Sequence, residues 1–287
     1  MTMKSVIPLV LLCFCLSVSA KAQYYFQDIC NARSTMEEHH RNMSQGIHHI
    51  RIRSYDADHS MNKGFRCVKK LSGDFRHVIT ETGSVQTGNS VINSFFDDSG
   101  RITHTVDSTA LSVNDTYYYY DHDKSRRIDS LRFYSYAAKN KDTFRFKEAH
   151  VYHYDAGGRL QKMVRRKNGK PYSVVTFDTD SAGRVIKESE RGKYDTVPPK
   201  YYKYDGQGRL TDIFHYNADR QKMEPDYLFD YDEQNRLAEK TTVTMNASNY
   251  LLWKYFYDDK GLISREECYG KKHALLGELE FDYIHDL

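Results

Sequence analysis

The stretch Tyr202-Lys203-Tyr204-Asp205-Gly206-Gln207-Gly208-Arg209-Leu210 decides the fold of this chain of 287 residues. Asp205 is a typical first residue of a β-turn, because its carboxylate accepts backbone N–H groups two residues further on. Gly208 readily takes the left-handed conformation that closes a type I turn with a bulge. Tyr202 and Tyr204 lie two positions apart on the incoming strand and project from one face. The stretch therefore predicts a β-hairpin.

Relatives of this unit recur, with turn residues at Asp97, Asp123, Asp155, Asp180, Asp205, Asp232 and Asp258. The steps between them are 26, 32, 25, 25, 27 and 26 residues, which is about what two strands of roughly eight residues and two turns require. The fourth turn residue is Gly in five copies, among them Gly158, Gly208 and Gly261, and Asn235 in a sixth. Arg126 is the exception, so we expect that turn to be distorted or longer.

The repeats predict an all-β fold, an antiparallel meander of repeated hairpins in a twisted and rolled sheet of about 15 strands. A short N-terminal helix is expected from Ser34 as N-cap, with Glu37 in the capping-box position, to a stop near Gly46. The segment 71–75 is read as a degenerate first hairpin. The half repeat 281–287 is read as an exposed edge strand, whose Asp282 and Asp286 would discourage pairing with another molecule.

The N-terminus predicts export. Lys4 precedes an apolar run from Val6 to Val18, and Ala20-Lys21-Ala22 has the small-residue pattern that signal peptidase cleaves. The run is shorter than the roughly 20 residues of a spanning helix, and no later segment is apolar enough to span a membrane. We therefore divide the chain into a signal peptide (1–22), an N-terminal capping segment (23–75) and a hairpin-repeat domain (76–287), and expect a periplasmic, outer-surface or secreted protein.

Two alternatives concern the cysteines. Cys13 and Cys15 suggest a lipoprotein anchor as an alternative. Each follows a bulky residue, however, where lipoprotein processing requires a small one. After removal of the leader Cys30, Cys67 and Cys268 remain, so a Cys30–Cys67 disulfide is possible and at least one thiol stays free.

The composition is rich in aromatic residues, with 24 Tyr and 14 Phe, although the mean hydropathy is −0.74. Tyr supplies large packing surface despite its polar hydroxyl. The net charge of +3 is small and interspersed, so the charge pattern favours neither a nucleic-acid nor a membrane partner.

The pattern aromatic-x-Tyr-Asp-x-x-Gly-Arg-Leu at this period resembles the YD repeat of the rearrangement-hotspot and teneurin proteins, over roughly residues 90–287. The resemblance implies a long antiparallel sheet of hairpins that spirals into a shell, which in the large polymorphic toxins encloses a toxin domain. For a short exported bacterial member it implies binding of carbohydrate or of a cell surface.

Several residues that could bind a metal or a ligand can also be explained by a structural role. The turn aspartates would lie roughly 10 Å apart along one sheet edge, too far to share an ion, so we assign them to turns. The arginine that follows most turns is expected to pair with an Asp or to lie over a ring. The densest titratable cluster consists of His39, His40, His48, His49, Asp56, Asp58 and His59, but its spacing matches no zinc signature. We expect no metal and no cofactor, and solvent-facing histidines on the helix.

The sequence favours a non-enzymatic protein, because it contains no Gly-x-Ser-x-Gly, Walker or His-Glu-x-x-His motif. A glycan-active enzyme stays open, since the carboxylate pairs of glycosidases have no local signature. The aromatic excess favours binding of an extended ligand such as a glycan, and we select Tyr118, Tyr119, Tyr202 and Tyr255 as ligand-binding residues. A protein partner or a role as a toxin-associated shell component is the alternative. In the competing structural reading these rings belong to the core of a rolled sheet.

Overall fold

The structure, a computed structural model, describes residues 23–85, 87–121, 127–138, 140–192, 197–243 and 250–285. The predicted signal peptide and Asp286 lie outside these ranges. No helix in the described parts of the chain is long and apolar enough to cross a membrane.

The described residues form one α-helix and 18 β-strands. The helix α1 (Asn31–Ser44) follows a π-helical turn (Tyr25–Cys30). The strands are β1 (Ile47–Asp56), β2 (Arg66–Leu71), β3 (His77–Ser84), β4 (Gly88–Phe96), β5 (Ile102–Thr109), β6 (Ser112–Tyr120), β7 (Ile128–Ala137), β8 (Asn140–Tyr154), β9 (Leu160–Lys167), β10 (Lys170–Thr179), β11 (Val185–Gly192), β12 (Lys200–Tyr204), β13 (Leu210–Asn217), β14 (Lys222–Tyr231), β15 (Leu237–Val243), β16 (Tyr250–Tyr257), β17 (Ile263–Tyr269) and β18 (Leu275–His285).

The sheet is a closed barrel. Every strand pairs antiparallel with the preceding one, and β18 pairs with β1 over most of its length, with Arg51 opposite Asp282. The predicted all-β antiparallel meander with one short N-terminal helix is confirmed. The expected exposed edge is wrong, because β18 is paired on both sides and Asp282 binds Arg53 at 2.8 Å. The estimate of about 15 strands was too low, because β1, β2 and β3 precede the recognised repeats and belong to the same sheet. The boundary at residue 75 stays a prediction.

The Asp turns repeat one hydrogen-bond pattern along one rim of the barrel. Asp205 Oδ1 accepts the N–H groups of Gln207 and Arg209, both at 2.9 Å, and the Gly208 N–H donates to the Asp205 carbonyl at 3.0 Å. Gly208 has φ +82°, and Asn235 takes the same role with φ +64°. The same backbone bond closes the turns that begin at Asp97, Asp155, Asp180, Asp232 and Asp258, and the glycines that close them include Gly158 and Gly261.

Two further turns clarify the repeat. In the 71–75 segment Phe75 donates to the Ser72 carbonyl and has φ +58°, so this is a hairpin of the same type, as predicted. The turn assigned to Asp123 is longer, as expected, but Asp121 takes the role of the turn aspartate. Its carboxylate accepts from the N–H and Nε of Arg127, six residues on instead of four. Residues 122–126, including Asp123, lie outside the described part.

Neighbouring hairpins are joined at this rim by the tyrosine that precedes the Asp. The Tyr204 hydroxyl donates to the Val185 carbonyl of the previous hairpin at 2.7 Å, and Arg184 lies over the Tyr204 ring at 4.9 Å. The hydroxyl bond recurs at Tyr120, Tyr154, Tyr231, Tyr257 and Tyr283. The arginine contact recurs at Tyr120, Tyr154, Tyr231 and Tyr257. The expectation that these arginines pair with an Asp or lie over a ring is confirmed for Arg101, Arg127, Arg184, Arg209 and Arg236, whereas Arg159 donates to the Ser181 carbonyl at 3.3 Å.

Residues 24–44, here called the plug, lie inside the barrel. Glu38 binds Lys69 of β2 at 2.5 Å, and Asp28 binds Tyr152 of β8 at 2.6 Å. Phe26 packs against Phe229 of β14 with ring centroids 5.6 Å apart. Strands from several parts of the barrel therefore contact the plug, while one face of α1, which includes Arg33, Glu37 and His40, stays exposed.

The helix begins earlier than predicted. Helical turns start at Tyr25, so Ser34 lies within α1 and is not its N-cap. The predicted stop is confirmed, since α1 ends at Ser44 and Gly46 has φ +63°.

The core has two parts. The larger one packs the plug against strands from β4 to β14, around residues such as Leu131, Met163 and Ile213. The smaller one lies under the junction of β1, β2 and β18, around Ile50 and Leu279. Cys30, Cys67 and Cys268 are free thiols, so the Cys30–Cys67 disulfide does not form in this structure.

Candidate ligand cleft

The interior contains a chain of ionised side chains that the sequence did not predict. Asp28 of the plug accepts from His150 Nδ1 at 2.5 Å, and Glu148 lies 2.8 Å from His150 Nε2. Burial alone would lower the pKa of His150, but the two carboxylates outweigh it and raise the pKa to about 9. The imidazole is therefore charged at neutral pH and donates from both nitrogens.

Arg165 continues this chain towards β11. Its guanidinium binds Glu148 through Nε at 2.5 Å and contacts Glu190 at 3.4 Å. Glu190 also accepts from Ser173 at 2.5 Å. Carboxylates and cations thus alternate from the plug to the barrel wall, which is the arrangement in which buried charges are tolerated.

Glu188 of β11 caps the plug. It is 0% exposed, and its two carboxylate oxygens accept the backbone N–H groups of Tyr24 and Tyr25, each at 2.9 Å. The Tyr202 hydroxyl donates to the same carboxylate at 2.9 Å. Burial raises the pKa of Glu188 to about 7, although these three donors lower it. The side chain satisfies the first N–H groups of the helix, so β11 supplies the cap that we assigned to Ser34.

These buried groups bind one another and the plug, and all of them lie inside the wall. They stabilise the position of the plug in the barrel.

The four predicted ligand-binding tyrosines do not form one surface. Tyr202 is 3% exposed and Tyr118 packs against the core, so both rings belong to the interior. Strand alternation places Tyr119 outside, where it is 40% exposed with Arg132 over its ring at 4.6 Å. Tyr255 is partly buried and shares the face of Trp253, which packs against the smaller core. Tyr119 is therefore the exposed ring among the four, and ligand binding by these residues stays a prediction.

The outer face of β3 to β7 carries a row of rings, which we call the aromatic ladder. His77 stacks on Phe95 at 4.6 Å, and His104 stacks on Tyr117 at 4.0 Å. Phe95 and His104 are 5.5 Å apart, and Tyr134 meets Tyr117 edge to face at 5.8 Å. Because the rings cover one another's faces, the ladder stabilises strand pairing and presents mainly ring edges to solvent.

Two adjoining cavities lie on the outer side of the barrel closure, and we call them together the seam cleft. Its first half, a cavity of about 400 Å³, is lined by His49, Arg51, Ile52 and Arg53 of β1, by Phe65 before β2, and by Arg66, Cys67, Val68 and Lys70 of β2. Ile50 and Ile52 are buried in the core, so alternation directs Arg51 outwards. The same argument directs Lys70 outwards, because its neighbour Leu71 is buried.

The second half adjoins the first at Arg53. It has a volume of about 490 Å³ and is lined by Arg53, Phe256, Ser264, Arg265, Glu280, Phe281 and Asp282. Arg265 lies over the Phe256 ring at 4.3 Å. Together the halves cross β2, β1, β18, β17 and β16, a distance of roughly 20 Å at the usual strand spacing. The seam cleft therefore fits an extended ligand that runs across the strands.

The histidines of the densest cluster lie apart. His39 is buried and stacks on Phe96 with ring centroids 3.7 Å apart, so the expectation that it faces solvent is wrong. His40 is exposed, and His59 binds Glu278 at 3.0 Å. No group of three potential metal ligands occurs within the residues described.

Sequence reasoning missed the seam cleft. A signal for it was present in His49-x-Arg51-x-Arg53, where cationic or titratable residues alternate with Ile50 and Ile52. This alternation is typical of a strand with one solvent-exposed face. The pattern became informative only once β18 was known to lie beside β1, since half of the cleft comes from the other end of the chain.

No family model matches the chain. Among solved structures, it is similar to a porin-like protein from Bacteroides uniformis, with 10% identity over 83% of this chain and 96% of that chain and a TM-score of 0.36. A porin-like protein from Bacteroides vulgatus has 13% identity over 83% of this chain and 98% of that chain, with a TM-score of 0.27. The TcdB2-TccC3 structure has 10% identity over 80% of this chain but only 19% of that chain, with a TM-score of 0.30. At these TM-scores the similarities carry no argument about function.

Proposed function

We propose that this chain is an exported, non-enzymatic binding protein of the cell envelope, a YD-repeat barrel whose seam cleft binds an extended ligand, with a glycan as the best fit. The observation that carries the proposal is the pair of adjoining cavities that share Arg53 on the outer face of five strands at the barrel closure.

The lining of the seam cleft supports a glycan. It combines the rings of Phe65 and Phe256 with charged groups such as Arg53 and Asp282. Ligand sites combine apolar surface with a few polar groups that fix orientation, and sugars present both an apolar ring face and hydroxyl groups. A protein partner is the second candidate, and the exposed Tyr119 beside the aromatic ladder favours it.

A glycan array with the exported protein tests the proposal. We expect binding that falls about tenfold in Phe65→Ala and in Phe256→Ala, the loss typical of a central contact residue. Tyr119→Ala tests the alternative site, because Tyr119 is an exposed aromatic residue away from the cleft; if the ligand binds in the seam cleft, this variant binds like the wild type. Thermal unfolding of each variant verifies that the barrel is folded.

Three results would contradict the proposal. Loss of binding in Tyr119→Ala alone would place the ligand at the aromatic ladder. A blank array together with a stable complex in a pull-down would favour the protein partner. Cleavage of a polysaccharide during the assay would show that the protein is an enzyme.

A further inference from the structure

The β1–β2 half of the seam cleft is rich in cations. On β1 Arg51 and Arg53 lie two positions apart, roughly 6.8 Å along the outer face. Lys70 of β2 lies directly opposite His49 in the strand register, and Arg51 is opposite Val68. Two neighbouring strands therefore direct their positive side chains into one cavity.

The acidic groups nearby do not balance these cations. Arg53 is paired with Asp282 at 2.8 Å and lies 3.6 Å from Glu280. Arg66 and Lys70 share the single carboxylate of Glu81, each at 3.3 Å. Arg51 is exposed, and the carboxylate opposite it on β18, that of Asp282, is the one that binds Arg53.

This excess is local. The whole chain has 42 Lys and Arg against 39 Asp and Glu, so positive charge is not a general property of its surface. Like charges that share a cavity repel one another more strongly than in open water, because the cavity is partly desolvated. An anion placed among Arg51, Lys70 and Arg66 would relieve this repulsion.

We infer that the seam cleft takes an acidic polysaccharide, whose repeated carboxylate or sulfate groups bind along the outer faces of β1 and β2. This inference rests on the proposed function, since it specifies the charge of the glycan. Arg51 is the principal contact, because a guanidinium binds a carboxylate or sulfate through two parallel hydrogen bonds. Lys70 contributes charge on the facing strand, and Phe65 contacts the sugar ring.

The test compares polygalacturonate with the same polymer after full methyl esterification, which removes the charge and keeps the sugar chain. Polyglutamate serves as a polyanion without sugar, and an array of neutral and sulfated glycans is run beside them. Binding is measured for the wild type, Arg51→Gln and Lys70→Gln. Arg132→Gln is the matched control, because Arg132 is an outward arginine on β7 beside Tyr119 and its loss changes the net charge equally.

We expect the wild type to bind polygalacturonate or sulfated glycans and to bind the ester and polyglutamate at least tenfold more weakly. Arg51→Gln should weaken binding about tenfold, as for loss of one charge-assisted hydrogen-bonding group, whereas Arg132→Gln should not. Added salt should weaken binding to the acidic polymer.

Other results separate the two proposals. Equal binding of the acidic and esterified polymers, or tight binding of neutral glycans only, would overturn the inference about charge and leave the proposed glycan function standing. Equal binding of polyglutamate, or an equal effect of Arg132→Gln, would reduce the interaction to general charge attraction and overturn it as well. Binding of no glycan of either kind would overturn the proposed function itself.

Discussion

The guanidinium carbon of Arg209 lies 4.5 Å from the ring centroid of Tyr231, which belongs to the next hairpin. Arg209 also donates from Nε to Asp205 of its own turn at 2.6 Å. The Tyr231 hydroxyl makes a second contact between the two hairpins by donating to the Leu210 carbonyl at 2.8 Å. The Tyr, Asp and Arg of the repeat therefore act as one unit, in which Asp orients Arg and Arg covers the next Tyr. This explains why the three residue types recur together.

Removal of one hydroxyl from this unit should be measurable. We expect Tyr231→Phe to lower the free energy of unfolding by about 1 kcal/mol, because the Leu210 carbonyl loses its donor while the ring remains. Urea denaturation monitored by circular dichroism measures it. Tyr216→Phe is the control, since Tyr216 is 43% exposed, and it should change stability by only a few tenths of a kcal/mol. Equal effects of the two changes would contradict the assigned role of the hydroxyl.

The turn itself predicts an order among glycine variants. Gly208 has φ +82°, and an added Cβ would lie 3.1 Å from the Arg184 guanidinium, whereas Gly206 has nothing within 4 Å of that position. We expect Gly208→Ala to cost roughly 1 to 2 kcal/mol and Gly206→Ala to be nearly neutral. Gly208→Asn should cost less than Gly208→Ala, because Asn235 adopts the same conformation with φ +64°. The reverse order of Gly206 and Gly208 in denaturant titrations would show that the turn is misassigned.

The cap at Glu188 predicts a pH dependence. Burial raises its pKa to about 7 from an ordinary value of 4.5, so its contribution to stability is complete below about pH 4.5 and is lost as the pH rises through 7. Glu188→Gln cannot titrate. The stability difference between wild type and variant should therefore shrink by roughly 2 to 3 kcal/mol between pH 4.5 and pH 8. Urea midpoints at the two pH values measure it, and a gap that widens with pH would refute the assignment.

His150 predicts a loss of stability at alkaline pH. Its pKa is raised to about 9 by Asp28 and Glu148 despite burial, so its contribution is complete below about pH 6.5 and is lost as the pH rises through 9. We expect nitrogen chemical shifts of a charged imidazole at pH 7.5. His150→Phe should cost roughly 3 to 5 kcal/mol, because it leaves the buried carboxylate of Asp28 without its cation and removes one of the two cations that bind Glu148. Adding Asp28→Asn should recover part of this loss, and no recovery would argue against the pairing.

Much of the fold was readable because its signals are local. Asp205 and Gly208 lie within one turn, and the same turn recurs at a regular step, so the hairpins and their rim followed from the sequence. The Asp121 turn was misassigned to Asp123 because two aspartates compete there. Tyr120-Asp121 matches the Tyr-Asp pair of the other units and is the better guide.

The features that could not be predicted from the sequence depend on contacts between residues that are far apart in the chain. The cap of the plug is Glu188, 164 residues from Tyr24, so no local pattern revealed where the helix begins. The cleft likewise combines Arg51 with Asp282 on the strand that closes the barrel. Tyr118 and Tyr119 show the same limit, because alternation separates the faces but does not say which face is inside.

The pairing of β1 with β18 also affects how the chain folds. Residues near 51 are synthesised long before their strand partners near 282. The contacts between β1 and β18 are therefore among those with the greatest sequence separation. Such contacts slow folding. A chain that stops before residue 275 has free hydrogen-bonding edges on β1 and β17, and such edges recruit strands from other molecules.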